Sequence, residues 1–521
     1  MKRPPSKSAA KPNSPAPLPL FNWLKARGAG VLLHPTSLPG DQGCGVFDQH
    51  AVRFLDFLQA AGMKYWQVCP LGPTGYGDSP YQCFSAFAGN TYLVDLAALV
   101  RAGLLEATDL APLAALSADQ TDYGAIYNLK PRLLEKAYAQ FKARRPALPY
   151  GDFAAFCKKN ADWLEAYACF RALKDHFKGI AWWEWPLEAR DFARAKKSPL
   201  RSQLADAIAA YQFGQYLFFG QWARVRAAAR ERGIEVIGDL PIFVAGDSAD
   251  AWANPGLFEL DPKTFLPLAV AGVPPDYFSA DGQLWGNPLY RWDAHRADGY
   301  AWWLARMRAT FEVCDIVRID HFRGFDAYWR IPYPAKNARV GEWVPGPGLE
   351  LFRAFQAAFP AARIIAEDLG VLTDSVVQLR EDSGLPGMLV LQFAWGSDAK
   401  NGYLPHNATP NSVIYAGTHD NDTTAGWYKA APEPERDYVR RYLRVDGKDV
   451  AWDFVRASYA SASRLAVVTL PDLFSLGSAA RFNTPSKAEG NWQWRYRAAA
   501  LEKFFGGTTN YLRELATLYG R

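Results

Sequence analysis

Eight short apolar runs, rich in β-branched residues and ending in polar or charged residues, recur along the chain. Stretches with helical periodicity separate several of them. Strands that alternate with helices form parallel sheets, and eight such strands favour a closed (β/α)8 TIM barrel. The sequence therefore predicts an α/β fold with large inserted, mainly helical subdomains. The eight predicted strands are 30–35, 65–71, 234–243, 314–322, 363–370, 388–395, 412–420 and 464–474.

The spacing of these strands is uneven. Amphipathic patterns at 216–233 and 349–361 predict the helices that precede the third and fifth strands. More than 150 residues separate the second strand from the third, which is too long for a loop, and they include helical patterns at 95–107 and 159–177. We therefore predict a helical insertion over 72–233.

A second insertion is predicted over 244–300, where Gly, Pro, Asp and Trp are frequent. Its composition is typical of a loop-rich wall beside a cleft. The first residues of the chain are rich in Pro, Lys, Ser and Ala without an apolar stretch, so 1–22 is expected to be a disordered tail. The remainder, 23–521, is expected to form the barrel with its insertions.

Composition and charge exclude several classes of protein. The 521 residues carry a formal net charge of +5 with acidic and basic residues well mixed, which does not indicate a nucleic-acid or membrane partner. No run of about 18 apolar residues is present. The six cysteines are scattered without close pairs, so we expect buried thiols in a reducing, cytoplasmic setting. The seven histidines show no zinc-binding spacing, so no metal site is expected.

Aromatic residues make up 14% of the chain and include 19 Trp, 25 Tyr and 31 Phe. Many lie among Gly, Asp and Asn rather than in periodic core segments. Flat aromatic faces in a wet cleft suit the apolar faces of sugar rings, although most of these side chains are expected to be ordinary core.

Charged residues stand where several predicted strands end. Arg318 and Asp320, two apart on the fourth strand, share a face and point into the barrel. Asp239, Glu367 and Asp420 end the third, fifth and seventh strands. The carboxyl ends of barrel strands meet at one rim, where barrel enzymes carry out their chemistry. An isolated Arg-x-Asp is as readily a structural ion pair, but several acids converging on one rim favour a catalytic site.

Paired carboxylates beside exposed aromatic side chains fit the chemistry of glycosidic bonds. Asp320, kept ionised by Arg318, suits the nucleophile. Glu367 follows an apolar strand that raises its pKa, which suits the acid and base. A separation of about 5 to 5.5 Å between the two carboxyl groups would give retention through a glycosyl-enzyme. Asp420 would hydrogen-bond sugar hydroxyls in the transition state.

Some of the candidate site residues allow a second, purely structural interpretation. The segment 71–81 is glycine-rich but lacks the ending of a phosphate-binding loop, so it is interpreted as a tight loop that presents Tyr76 and Tyr81 to the cleft. His321 and His419 are either packed core residues or donors to sugar hydroxyls, and their rim positions favour the second. Trp285 is either a core anchor or a ligand contact on a loop, and its Gly and Asn neighbours favour the contact.

Several blocks of this sequence resemble those of the 4-α-glucanotransferases called amylomaltases or disproportionating enzymes, relatives of the α-amylases. The blocks that carry the resemblance are "GVLLHPTSLPG", "PLGPTGYGDSPYQCFSAFAGN", "GDLPIFVAGDSADAWANP", "GVPPDYFSADGQLWGNPLYRWD", "RIDHFRG", "AEDLG", "GTHDND" and "EGNWQWR". They occur in the order of the family and span almost the whole chain after the tail.

This resemblance implies Asp320 as nucleophile, Glu367 as acid and base, and Asp420 as the stabilising aspartate. It further implies an α-1,4-glucan as donor and acceptor, including maltooligosaccharides and glucose, in carbohydrate metabolism of starch, glycogen or maltodextrin, and no metal or organic cofactor. The substrate-contacting or supporting positions that it implies are Tyr76, Ser79, Tyr81, Asp239, Trp285, Asn287, Arg318, His321 and His419.

Three hypotheses stand on the sequence. The first is a 4-α-glucanotransferase that acts by retaining double displacement. The second is an α-glucan hydrolase of the same fold, because both reactions start from the same glycosyl-enzyme and differ in whether water or a sugar hydroxyl reaches it first. The third is a glucan-binding protein without catalysis, against which the intact set of three carboxylates argues. The sequence does not predict an oligomeric state.

Overall fold

The computed structural model describes residues 17–275, 279–370 and 372–521. In this part of the chain the strands form two sheets. They are β1 (Gly28–Leu32), β2 (Tyr65–Gln67), β3 (Glu235–Leu240), β4 (Ala269–Val273), β5 (Gln283–Pro288), β6 (Ile316–Ile319), β7 (Ala327–Pro332), β8 (Glu342–Pro345), β9 (Ile364–Ala366), β10 (Gly387–Val390), β11 (Ser412–Tyr415) and β12 (Leu465–Thr469).

Eight parallel strands form the barrel, in the order β10-β11-β12-β1-β2-β3-β6-β9. The two ends of this order also meet, because the N–H of Ala366 in β9 donates to the carbonyl of Pro386, just before β10, at 2.9 Å. Each of the eight predicted strands corresponds to one of these strands. The prediction of a (β/α)8 barrel is confirmed.

Complete burial explains why these strands read as continuous apolar runs. Every residue of β1, β6, β9, β11 and β12 is buried, since helices cover the outside and side chains fill the inside. The parallel register pairs Asp239 with Arg318 and Ile319 with Ala366. The residues that follow these pairs therefore reach the rim at the same height.

Helices surround the barrel and fill the long connections. The described α-helices are α1 (Gln49–Ala60), α2 (Leu96–Arg101), α3 (Ala111–Ala114), α4 (Tyr123–Arg144), α5 (Phe153–Lys159), α6 (Ala161–His176), α7 (Phe192–Ala195), α8 (Pro199–Gln203), α9 (Ala205–Glu231), α10 (Ala249–Ala253), α11 (Trp292–Ala297), α12 (Ala301–Val313), α13 (Leu349–Ala358), α14 (Asp374–Ser383), α15 (Thr424–Ala430), α16 (Glu433–Leu443), α17 (Val450–Ala460), α18 (Leu470–Leu473), α19 (Ala498–Glu502) and α20 (Gly507–Leu518). Short 3-10 helices include Tyr76–Asp78 and Phe322–Phe325.

The predicted insertion 72–233 holds α2 to α9. The helices predicted over 159–177 and 216–233 are confirmed by α6 and by α9, which starts eleven residues earlier than its pattern suggested. The helix predicted over 95–107 is wrong in part, because α2 ends at Arg101 and the chain turns at Gly103, whose φ is +69°. Glycine adopts this left-handed conformation without steric cost.

The second insertion is more regular than its composition suggested. Strands β4 and β5 of that segment join β7 and β8 in a four-stranded antiparallel sheet with the order β5-β4-β7-β8. The expectation of a loop-rich wall over 244–300 is therefore corrected for β4 and β5. The sheet depends on pairing across the chain, with Gly272 opposite Trp329 and Trp329 opposite Trp343, which no local pattern announces.

The end of the predicted tail is also corrected. Residues 1–16 of this prediction lie outside the described part of the chain, but Leu20 and Phe21 are buried, and their N–H groups donate to the carbonyls of Asp382 and Ser383 at 3.0 and 2.9 Å. Burying two apolar side chains and pairing their backbone groups fixes this segment to the end of α14. Among the described residues, no helix combines the length and apolarity needed to cross a bilayer.

Candidate active site

An open cleft, which encloses about 2200 Å³ including the solvent at its mouth, lies at the carboxyl ends of the barrel strands. The structure brings most of the predicted site residues together around it. Those that line it are Ser79, Tyr81, Trp285, Asn287, Arg318, Asp320, His321, Glu367, His419 and Asp420. Asp239 lies beneath, buried among these side chains. The side chain of Tyr76 lies outside the described part of the structure.

Arg318 joins two acids at the base of the cleft. Its Nη1 donates to Oδ1 and Oδ2 of Asp239, at 2.8 and 2.6 Å, and its Nη2 lies 3.0 Å from Oδ1 of Asp320. The side chains of Arg318 and Asp239 are 4% and 1% exposed, whereas that of Asp320 is 28% exposed to the cleft. Arg318 and Asp320 thus share the inward face predicted from their spacing, and Asp239 fixes the arginine from below.

The ionisation of Asp320 differs from the expectation based on its arginine neighbour. Burial raises the pKa of Asp320 to about 7, and Asp239 and Glu367 add to this effect, while Arg318 opposes it. Arg318 is shared with a second acid, Asp239, which the spacing of Arg318 and Asp320 does not reveal. Because one guanidinium serves two carboxylates in a buried site, it does not keep the pKa of Asp320 low.

Glu367 lies next to Asp320 on the rim. The two residues directly follow the paired positions Ile319 and Ala366 on neighbouring strands. The Glu367 carboxyl accepts hydrogen bonds from the N–H of His321 at 2.6 Å and of Leu369 at 2.9 Å. Burial outweighs these bonds and the charge of Arg318 and raises the pKa of Glu367, which confirms the expected direction.

His321 provides its backbone N–H to Glu367 through an unusual conformation. Its φ of 52° and ψ of 51° lie in the left-handed region, which a non-glycine residue rarely adopts. Such strain is found at functional sites where the surroundings enforce it. Burial, helped by the charge of Arg323, lowers the pKa of the His321 ring to about 3, so the ring is neutral and able to exchange hydrogen bonds with a ligand.

Asp420 is the most acidic of the three predicted catalytic groups. Its Oδ1 accepts from Nδ2 of Asn483 at 2.6 Å, and its Oδ2 lies 3.3 Å from Nε2 of His419. Burial alone would raise the pKa of Asp420, but His419 and Asn483 outweigh it and hold the pKa well below its usual range. Burial by itself would lower the pKa of His419, but the charge and the hydrogen bond of Asp420 outweigh this effect and raise it. The pair therefore favours a carboxylate beside a cationic imidazole.

Tyr81 connects the two sides of the cleft. Its hydroxyl donates to Oδ2 of Asp239 at 2.8 Å. Its ring stacks on His419 with centroids 5.0 Å apart and an interplanar angle of 18°. Trp492 completes this group, with centroids 5.9 Å from Tyr81 and 5.8 Å from His419. These contacts fix the orientation of His419 towards Asp420.

The remaining predicted contacts form the opposite wall. The ring of Trp285, on β5, meets His321 edge to face at 4.8 Å. Asn287 is buried, and its Nδ2 donates to the carbonyl of Val244 at 2.8 Å, while its Oδ1 accepts from Gln82 at 3.2 Å. Asn287 therefore holds the wall as well as lining it. The hydroxyl of Ser79 accepts from the N–H of Tyr81 at 3.2 Å, which shapes the turn before that ring.

Asn483 and Met388 are among the residues at the site that were not predicted from the sequence. Asn483, which binds Asp420, comes from the connection after β12 and follows no periodic pattern. Met388 begins the predicted sixth strand, and its sulfur accepts from Nε of Arg318 at 3.3 Å. A methionine inside an apolar run carries no signal of a polar partner, so only the folded barrel reveals this contact.

The acidic side chains of the site are bound by arginine, histidine, amide and backbone N–H groups. Within residues 17–275, 279–370 and 372–521, no group of three or more His, Cys, Asp and Glu side chains is placed to hold a metal ion. Two partly buried acids with raised pKa values beside a third with a lowered pKa are suited to nucleophilic attack with proton transfer at a sugar.

Comparisons with known proteins match this chain to one family. The family model described as 4-alpha-glucanotransferase matches residues 33–501. The 4-alpha-glucanotransferase of Streptococcus pneumoniae is 46% identical over 96% of this chain and 98% of its own length, and that of Thermus thermophilus is 47% identical over 94% and 98%. The amylomaltase of Streptococcus agalactiae, solved in complex with acarbose, superposes with a TM-score of 0.89 at 37% identity, covering 95% of this chain and 99% of its own.

Proposed function

We propose roles for the residues of this site from the premise that the chain belongs to the 4-alpha-glucanotransferase family. Members of the family are glycosyltransferase-type enzymes, and this chain is an enzyme that carries out glucan transglycosylation. The donor and acceptor that we propose are α-1,4-glucans, namely maltooligosaccharides and, as the smallest acceptor, glucose. The single observation that carries the assignment of residues is the shared rim position of Asp320 and Glu367.

In the first step, the ionised carboxylate of Asp320 attacks the anomeric carbon of the donor. Glu367 gives its proton to the glycosidic oxygen as the bond to the leaving glucan breaks. Burial raises the pKa of Glu367, which favours its protonated form, and the contact between Arg318 and Asp320 favours placing the negative charge on Asp320. The product is a covalent glycosyl-enzyme, for which carboxyl groups about 5 to 5.5 Å apart are required.

In the second step, a hydroxyl of an acceptor glucan replaces Asp320 at the anomeric carbon. Glu367, now ionised, takes the proton of that hydroxyl, so the enzyme returns to its starting state. Two displacements retain the configuration of the sugar. The N–H groups of His321 and Leu369 stabilise the ionised form of Glu367 between the two steps.

Asp420 is proposed to hold sugar hydroxyls while the ring flattens towards an oxocarbenium ion. Hydrogen bonds from His419 and Asn483 keep it ionised and oriented. Asp239 acts through Arg318 as a positioning residue. The side chains of Tyr81, Trp285 and His321 supply flat and polar surfaces for the glucosyl ring.

The hydrolase alternative differs in its products, and the comparisons do not favour it. A glucanotransferase converts maltotriose into glucose and a ladder of longer maltodextrins, whereas a hydrolase produces no chain longer than its substrate. Chromatography of the products of maltotriose therefore distinguishes them. A substrate that only shortens would contradict transfer, and a substrate that stays unchanged would favour a non-catalytic glucan-binding protein.

The assignment of the two acids is tested by Asp320→Asn and Glu367→Gln. Each is expected to lower kcat by several orders of magnitude with little effect on glucan binding, since each removes a group needed in the transition state. Glu231→Gln, in a side chain that is 77% exposed, is the matched control and should keep full activity. Near-normal turnover of either site variant would contradict the assignment.

A reducing, cytoplasmic location is proposed for the enzyme. All six cysteines are free thiols, and Cys44, Cys69, Cys169 and Cys314 are buried. Thiols in such surroundings fit a compartment that keeps them reduced.

A further inference from the structure

The cleft extends beyond the acids to an aromatic side chain that has no role in the proposed steps. Trp343, on the edge strand β8, lines the same cleft as Asp320 and Glu367. It is 41% exposed, which makes it the most exposed tryptophan among the described residues. A wide aromatic surface left exposed inside a substrate cleft is a candidate contact for the substrate.

The surroundings of Trp343 fix its ring. It lies directly opposite Trp329 in the antiparallel pair of β7 and β8, with ring centroids 5.3 Å apart at 63°. Trp329 is held in turn, because its Nε1 donates to the carbonyl of Ala338 at 3.0 Å. A Cβ on Gly341 would lie 2.6 Å from the Trp329 ring, so the glycine allows this close packing.

Arg323 completes the arrangement. Its guanidinium carbon lies 4.2 Å from the centroid of the Trp343 ring, within the range of a cation–π contact. Arg323 also lines the cleft. The ring of Trp343 is therefore oriented before any ligand arrives, which reduces the entropy that binding costs.

The position of this ring relative to Glu367 indicates which part of a glucan it meets. Glu367 must lie beside the glycosidic oxygen, where the leaving chain departs and the acceptor enters. The N–H of His321 binds Glu367 at 2.6 Å, and Arg323 follows two residues later in the 3-10 turn Phe322–Phe325. The turn that contacts Glu367 thus also carries the residue that contacts Trp343, so Trp343 belongs to the part of the cleft beside the acid and base.

We propose that Trp343, oriented by Arg323 and Trp329, is a distal acceptor subsite that binds a glucose ring beyond the one that reacts. The apolar face of that ring packs against the indole, so long acceptors gain affinity and glucose does not. The subsite selects acceptor length and is not needed for the bond-making step. This inference rests on the transfer reaction proposed above.

The test uses an α-maltosyl fluoride donor, whose fluoride leaving group needs no acceptor-side contact. Transfer rates are measured with glucose, maltose, maltotriose and maltotetraose as acceptors. For Trp343→Ala we expect the KM for maltotetraose to rise about tenfold, the magnitude typical of one lost aromatic packing contact, with the KM for glucose unchanged. Trp343→Phe keeps an aromatic face and should restore most of the affinity.

Tyr511→Ala is the control, because this tyrosine on α20 is 39% exposed and is not one of the residues that line the cleft. It should match the wild-type protein with every acceptor. Unchanged transfer to glucose by Trp343→Ala also shows that the variant is folded. An unchanged KM for maltotetraose, or equal increases for glucose and maltotetraose, would overturn the subsite. Wild-type protein that releases fluoride but never elongates an acceptor would instead overturn the proposed transfer function.

Discussion

Arg318→Met is expected to lower the stability of the fold substantially, because it leaves the Asp239 carboxylate in the barrel without its cation. Arg318 donates to both oxygens of Asp239, and the Asp239 side chain is only 1% exposed. Removing one partner of a buried ion pair costs about 3 to 5 kcal/mol. The hydroxyl of Tyr81 still donates to Asp239 at 2.8 Å and offsets roughly 1 kcal/mol. A net loss of about 2 to 4 kcal/mol follows.

A second change in the same protein separates the charge from the packing. Asp239→Asn added to Arg318→Met removes the uncompensated charge and leaves a side chain of nearly the same shape. We expect the double variant to regain at least half of the lost stability. Activity should stay low in both, since Asp320 has also lost the guanidinium at 3.0 Å.

The measurement is thermal unfolding of four proteins at one pH and one scan rate: the wild type, both single variants and the double variant. Their order in Tm is the readout, because a chain of this size does not guarantee two-state unfolding. A double variant that melts no higher than Arg318→Met would refute the reasoning. The loss would then come from packing of the arginine stem, not from an unpaired buried charge.

Three further predictions concern the same cleft. Met388→Leu keeps the volume of the side chain but removes the sulfur that accepts from Arg318, so we expect kcat to fall by roughly threefold to tenfold with Tm nearly unchanged. A kcat equal to that of the wild-type protein would contradict a positioning role for Met388. Asp320 must be ionised to attack, and burial raises its pKa to about 7, so kcat/KM should fall below about pH 7 as the protonated fraction of Asp320 grows. A pH profile of kcat/KM that stays flat down to pH ~5 would contradict this prediction. Asn483→Ala removes a 2.6 Å bond to Asp420 and should lower kcat/KM for maltotriose about tenfold, whereas wild-type kinetics would show that His419 suffices.

The sequence was most informative where strands are buried on both faces. Such strands need a continuous apolar run, and any charge at their end is conspicuous, which is why Arg318, Asp320, Glu367 and Asp420 could be located. The barrel places the carboxyl ends of its strands at one rim, so the neighbourhood of these residues followed from the fold class alone.

The sequence was least informative where contacts join distant and irregular segments. The pairing of Gly272 with Trp329, and of Trp329 with Trp343, builds a sheet from short pieces whose local patterns match those of loops. Asn483 reaches Asp420 from a connection without periodicity. Each of these contacts depends on where the chain returns in space, which spacing along the sequence does not encode.

The sequence by itself determined the barrel, the order of its strands along the chain and the identity of the acids at their ends. Only the tertiary structure decided how those acids ionise. Arg318 is shared between Asp239 and Asp320, so burial raises the pKa of Asp320, whereas His419 and Asn483 lower that of Asp420. The reason is physical: a pKa is set by the sum of desolvation, charges and hydrogen bonds around a group, and this sum exists only after the chain has folded.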